Sequence, residues 1–210
     1  VDFAIRMGKL GGLAVLNLDG VQARYANPAE ILAKIAKASD AEVTALLQKV
    51  YQEPIKENLV AERVAAIKKG GVICAISLIP ANTKRLAPVV KEAGCDILVI
   101  QSTVTSARHI SKSYRGLILS ELAEQLKMPI VVGNCVSYKA CLELMQQGID
   151  GVLVGVGPGA ACTSREVLRV GVPQNTLFRL CSALLHAAFC GDIHICICGG
   201  IFARFSKGNG

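Results

Sequence analysis

The chain has no tryptophan, and aromatic residues make up only 4% of its 210 residues. Such a sequence cannot build its interior on large rings. Its 52% hydrophobic content is mainly aliphatic, which suits a buried parallel sheet of Val, Ile, Leu and Ala. There is no apolar run long enough to span a bilayer and no stretch of signal-peptide type, so no membrane partner is expected. Acidic residues are also scarce, 16 against 23 Lys and Arg, for a net charge of +7. A nucleic-acid surface would interleave aromatics with clustered basic residues. Here the basic residues are scattered through helical stretches, so a solvated surface that attracts anionic substrates is expected, and no nucleic acid.

What is abundant is cysteine, nine in all. Cys74, Cys95, Cys135 and Cys141 sit in or beside apolar patterns, as small core residues do. Cys196-Ile197-Cys198 is too tightly spaced for a structural zinc pair. The expectation is a cytoplasmic protein with reduced thiols. On length it is one domain, 1–210, undivided by any linker or low-complexity segment.

Helical spacing marks Val1 to Leu10, with no start signal and no initiating Met, which suggests a chain whose beginning is missing. Leu13 to Leu18 has the pattern of a buried strand. Asn27-Pro28 starts a helix whose apolar face carries Ile31, Leu32 and Ile35, and Asp40 is a candidate cap for a second with Val43, Leu46, Leu47 and Val50. A third runs from about Pro54 to Lys69. Strand and helix then alternate: strands at Val72 to Leu78, Asp96 to Ser102, Pro129 to Val132 and Asp150 to Val154; helices at Asn82 to Ala93, Leu117 to Lys127 and Tyr138 to Gln147. With Ile193 to Ile197 this makes about six strands, and the alternation implies an α/β parallel sheet, open or closed into a barrel.

The most informative stretch follows the strand at Asp150 to Val154. Gly155, Gly157 and Gly159 let the backbone turn tightly, and a single thiol, Cys162, arrives among small and hydroxylic residues. A thiol beyond the carboxyl end of a strand lies where parallel α/β enzymes hold their chemistry. The plain alternative is a Gly-rich turn with an incidental cysteine.

Gly157-Pro158-Gly159-Ala160-Ala161-Cys162-Thr163-Ser164-Arg165, with Gly171-Val172-Pro173-Gln174, resembles the active-site cysteine loop of the IMP dehydrogenase/GMP reductase family. It is most similar to the short branch without the inserted regulatory (CBS) domain pair. Gly12-Leu13-Ala14-Val15-Leu16-Asn17-Leu18 and Val131-Val132-Gly133-Asn134-Cys135-Val136-Ser137 fall in family order. The resemblance is good over 1–174 and poor in the tail, 175–210, for which a truncated, frame-shifted or decayed copy are all open explanations.

The resemblance implies an incomplete (β/α)8 TIM barrel, unstable alone, beginning after the first barrel strand and ending at or just after the seventh. It implies an oxidoreductase that converts IMP to XMP with NAD through a covalent cysteine intermediate. GMP reduction with NADPH is the alternative, and an inactive purine-nucleotide-binding fragment is another. Cys162 is then the nucleophile and Ser164 its partner in proton handling. Asn134, Gly199 and Gly200 match substrate-binding positions. Gln101, Ser102, Thr103, Gly155 and Gly157 fall on the cofactor side, and Gly157, Gly159 and Cys162 match a K+ site. Partners are a purine nucleoside monophosphate and further copies of the chain, in a tetramer. The chain departs from the family pattern at three points: Gln101 and Cys198 stand where many members have Asp, and Ala160 replaces a Ser that often donates to phosphate. The family's mobile flap has no counterpart in these residues.

Overall fold

A computed structural model describes residues 1–102, 105, 116–159, 162–173 and 176, with the backbone of 194–197 and 201–204. The chain groups into two compact units, Val1–Val99 and Ile100–Gly210.

The first unit holds α1 (Asp2–Lys9), β1 (Val15–Asn17), a 3-10 turn (Val21–Ala23), α2 (Pro28–Lys37), α3 (Val43–Gln52), α4 (Glu57–Lys69), β2 (Ala75–Leu78), α5 (Pro80–Glu92) and the start of β3 (Ile97–Gln101). β1 and β2 are parallel, with Val15 opposite Ala75 and Asn17 opposite Ser77. Ile76, Leu78, Leu86, Val90 and Leu98 are fully buried with Val60, Val64 and Ile67 of α4, so this core is aliphatic, as the composition implies.

Three local expectations are corrected. Residues 13–18 are not a buried strand: Leu13 and Val15 are exposed, and β1 covers only three residues. Asp40 does not cap α3. Glu42 holds the N-cap position, with the Ser39 hydroxyl on its carboxylate at 2.6 Å. Asn27 does precede α2, but its amide donates to Glu30 Oε1 at 2.7 Å and caps no backbone N–H. Both helices lie on the surface; α2 buries none of its residues and α3 only Val50. α5 opens behind Ile79, which has no side chain able to cap. Asp19, just beyond β1, supplies the acceptors instead, taking Ile79 N at 2.7 Å and Asn82 Nδ2 at 2.5 Å.

The second unit continues with the end of β3, α6 (Leu119–Leu126), β4 (Ile130–Cys135), α7 (Tyr138–Met145), β5 (Gly151–Val154), α8 (Ser164–Val167), β6 (His194–Ile197) and β7 (Ile201–Arg204). β5 lies parallel between β4 and β6. β6 therefore confirms the strand expected near Ile193 to Ile197. β7 was not foreseen, and it runs antiparallel to β6, with Ile197 opposite Ile201.

One device appears in both units. Each of two helices is followed by a Gly-x-Asp run, Gly94-Cys95-Asp96 and Gly148-Ile149-Asp150, leading into a strand. Asp96 N donates to Cys74 O, and Asp96 Oδ2 accepts Cys74 N at 2.7 Å. Asp150 treats Ile130 in the same way, accepting its N–H at 2.8 Å. The carboxylate thus satisfies the first N–H of the preceding strand, which the sheet ladder leaves open. Burial opposes ionisation of Asp96, but Lys68 and the Cys74 N–H outweigh it and hold the carboxyl below its ordinary value. Its stabilising effect is therefore present above the ordinary carboxylate range and fades as pH falls through the lowered value.

Candidate functional site

The strand ends of the second unit converge on Asn134. β4 carries a bulge there: Gly133 pairs with Leu153 and Cys135 with Val154, leaving Asn134 as the extra residue. A bulge re-aims a side chain, and this one is buried, 6% exposed. Its amide nitrogen donates to Gly155 O at 2.8 Å, where the cysteine loop leaves β5. Its Oδ1 accepts from Gln101 Nε2 at 3.3 Å. The flanking backbone is tied as closely, with Ser102 N on Gly133 O at 2.9 Å, Asn134 N on Ser102 O at 3.1 Å, and Thr105 N on Asn134 O at 2.8 Å. The Thr105 hydroxyl also reaches Gly133 O at 2.6 Å and lies 2.8 Å from Ser102 Oγ. Thr105 is 8% exposed and was missed by sequence reasoning, since one more hydroxyl in a polar loop carries no spacing signal.

The loop begins at Gly155, whose N–H donates to Cys135 O at 3.0 Å, and is closed by Val172 N on Val156 O at 2.9 Å. Gly157 has φ +55, and a Cβ there would press on Val170 O at 3.2 Å and Ser164 Cβ at 3.3 Å. Glycine at this point answers both demands. Cys162 N donates to Gly159 O at 3.2 Å, turning the chain into α8. Among the described residues Cys74, Cys95, Cys135 and Cys141 are buried, as expected of core thiols, whereas Cys162 is half-exposed.

The Cys162 thiol donates to Ser164 Oγ at 3.3 Å. Bonds from the Ser164 hydroxyl and backbone N–H favour the thiolate, burial opposes it, and the Arg165 charge helps. The net effect holds the thiol below its ordinary value. More thiolate is therefore present at neutral pH than in a free cysteine, and the thiolate is the nucleophile. Alkylation of Cys162 by iodoacetamide, followed by mass spectrometry of its peptide, is expected to rise with pH through a midpoint below that of an ordinary cysteine thiol. Ser164→Ala is expected to move that midpoint up. An unchanged midpoint would remove Ser164 from this role.

The sequence-derived positions divide as follows. Asn134, Gln101, Ser102 and Gly155 form one hydrogen-bonded cluster. Gly157, Gly159, Cys162 and Ser164 form the loop packed beyond it. Thr103, Gly199 and Gly200 lie outside the described residues, as do Ala160 and Cys198. The Gln101 amide nitrogen is committed to Asn134, leaving its Oε1 as an acceptor that suits a sugar hydroxyl. Of the positions matched to K+, Gly159 O accepts Cys162 N and has Arg165 Nη2 at 3.4 Å. Among the described residues no three His, Cys, Asp or Glu side chains converge as metal ligands, and no helix is long and apolar enough to cross a membrane.

Against known proteins, the model of the IMP dehydrogenase / GMP reductase domain matches residues 1–206. An uncharacterised oxidoreductase of Mycolicibacterium smegmatis is 35% identical over 92% of this chain and 56% of its own length. One from Mycobacterium leprae is 36% identical over 83% and 48%. Inosine-5'-monophosphate dehydrogenase of Cryptosporidium parvum is 37% identical over 49% of this chain and 24% of its own length. The crystal structure of an IMP dehydrogenase/GMP reductase-like protein from Corynebacterium glutamicum superposes with a TM-score of 0.81 at 32% identity, covering 95% of this chain and 54% of that one. The chain thus spans about half the length of the relatives it matches most fully.

Proposed function

Because the chain belongs to the IMP dehydrogenase/GMP reductase family, with the α/β architecture of an incomplete (β/α)8 barrel, we propose that it acts on a purine nucleoside monophosphate through Cys162, oxidising IMP to XMP. The observation that carries this reading is the half-exposed thiol, held toward the thiolate by Ser164 on a loop anchored through Asn134. The Cys162 sulfur adds to C2 of the hypoxanthine ring. As the C2 hydride departs, a thioimidate forms, and water then releases XMP and frees the thiol. NAD supplies the hydride acceptor when bound, and Gln101 Oε1 and Ser102 are the residues of this chain that would meet its ribose. Asn134 keeps Gly155, and with it the root of the loop, in register with β4. Gly199 and Gly200 are proposed for the phosphate and Thr103 for the cofactor; a cytoplasmic tetramer is the proposed setting.

A second reading, reductive deamination of GMP with NADPH, is favoured by Ser164 itself. A hydroxyl 3.3 Å from the sulfur can hand a proton to a departing amine. Absorbance at 340 nm separates the two directions: it rises with IMP and NAD in the first and falls with GMP and NADPH in the second. Nucleotide binding in a titration, with neither absorbance change, would leave only a binding fragment and overturn the enzymatic reading.

A further inference from the structure

A pair of thiols lies in the first unit, where the mechanism makes no use of it. Cys74 immediately precedes β2, and Cys95 stands two residues before β3. Asp96 N and Ile97 N both donate to Cys74 O, at 2.9 and 3.1 Å, which fixes the two strand starts side by side. Cys95 Sγ lies 3.2 Å from the same Cys74 O and 3.2 Å from Ile97 O, so its sulfur sits against the main chain of Cys74. We propose that Cys74 and Cys95 form a redox-active dithiol that closes to a disulfide under a small peroxide oxidant, independently of the Cys162 chemistry.

Several features support this. Neighbouring strands lie about 4.8 Å apart and a disulfide spans a Cα separation of about 4.4–6.8 Å, and the 3.2 Å from Cys95 Sγ to Cys74 O brings the two residues within that range of each other. The Lys68 ammonium bridges both oxygens of Asp96, at 2.7 and 2.8 Å, and Asp96 Oδ2 holds Cys74 N, so the backbone at both thiols is braced. The pair is also asymmetric. Cys95, the less completely buried of the two, is the sulfur that meets the oxidant, and Cys74 is the resolving one. Cys74 is 0% and Cys95 8% exposed, which restricts the oxidant to a small molecule.

The chemistry balances without a further reactant. Cys95 sulfur attacks one peroxide oxygen as the O–O bond breaks, giving a sulfenic acid and one molecule of water. Cys74 sulfur then displaces the hydroxyl from Cys95 as a second water, so the two thiols lose two protons and two electrons to the peroxide. The cross-link encloses β2 and α5, and by restricting the unfolded chain it makes this segment harder to open until a reductant reverses it.

The test treats the full chain with hydrogen peroxide in native buffer and in urea, blocks the remaining thiols and maps the peptides by mass spectrometry. Native protein is expected to give the Cys74–Cys95 cross-link as the dominant pairing, lost in urea to a spread of pairings. Cys74→Ser is expected to abolish it and to leave Cys95 as a sulfenic acid that dimedone traps when the protein is unfolded in its presence after the peroxide is removed. The same pairing pattern with and without urea would overturn the proposal. So would Cys74 and Cys95 remaining reduced while Cys135 and Cys141 oxidise, or a Cys95 in the variant that dimedone does not label.

Discussion

Cys162→Ala is expected to lower nucleotide-dependent turnover by on the order of 10^4 or more, with nucleotide affinity changed far less, because removing a nucleophile takes away the covalent route and not the binding contacts. The steps of that route stand or fall on one sulfur. Among the described residues its hydrogen-bond partner is Ser164, and no second thiol there is held on the same loop to substitute for it. Alanine fits the site, since Cys162 is half-exposed and the turn depends on its backbone N–H to Gly159 O, which alanine retains. A collapse of the loop is therefore not the expected cause of the loss. The measurements are 340 nm kinetics with IMP and NAD, with GMP and NADPH, and a search for the nucleotide adduct on the Cys162 peptide. Undiminished IMP-dependent NADH formation by the variant would reject the cysteine's role. Cys162→Ser is a useful companion: a hydroxyl restores a hydrogen bond to Ser164 but ionises far less readily than a thiol, so turnover is not expected to return.

The glycine framework of this loop is legible in the sequence, and the reasons are physical. Glycine is demanded where backbone must turn or approach closely, so Gly155, Gly157 and Gly133 mark the strand ends and the loop in the sequence itself. The alternation of strand and helix follows from aliphatic runs bounded by Gly and Pro, and it placed the cysteine loop after the correct strand. Partnership between distant residues was not legible. Gln101 was assigned to a cofactor, yet its amide spends a donor on Asn134, 33 positions away. Thr105 and Arg165 act through a backbone carbonyl each, and a carbonyl leaves no trace in a sequence. Asp40 is not the cap because the helix begins at Val43 behind Glu42, and no side chain caps it there. The exposed Leu13 and Val15 show the other weakness of pattern reading, that an apolar run does not say which of its faces is covered.

Gly133→Ala is expected to be the most damaging single methyl group in the second unit. A Cβ built on Gly133 would lie 2.4 Å from Leu153 Cβ, 2.6 Å from Leu153 O and 3.0 Å from Leu153 Cα. None of these atoms is the free end of a flexible side chain. They belong to β5, which is fixed by pairing with β4 on one side and β6 on the other. The clash can be relieved only by parting β4 from β5, and that same movement pulls Asn134 from Gly155 O. Overpacking of a dense interior costs about 1–3 kcal/mol, and a contact against backbone belongs at or above the top of that range. The expected readouts are faster amide exchange along β4 and β5 and a Cys162 alkylation profile displaced toward that of an unfolded thiol. Gly20→Ala is the control, since a Cβ there meets only Asn17 O, at an ordinary 3.8 Å, and is expected to cost within about 0.5 kcal/mol. Leu153→Ala is not expected to rescue Gly133→Ala, because the Cβ and the carbonyl that obstruct the new methyl are both retained. Full recovery in that double variant would mean that the obstruction lies in the leucine side chain and not in the strand.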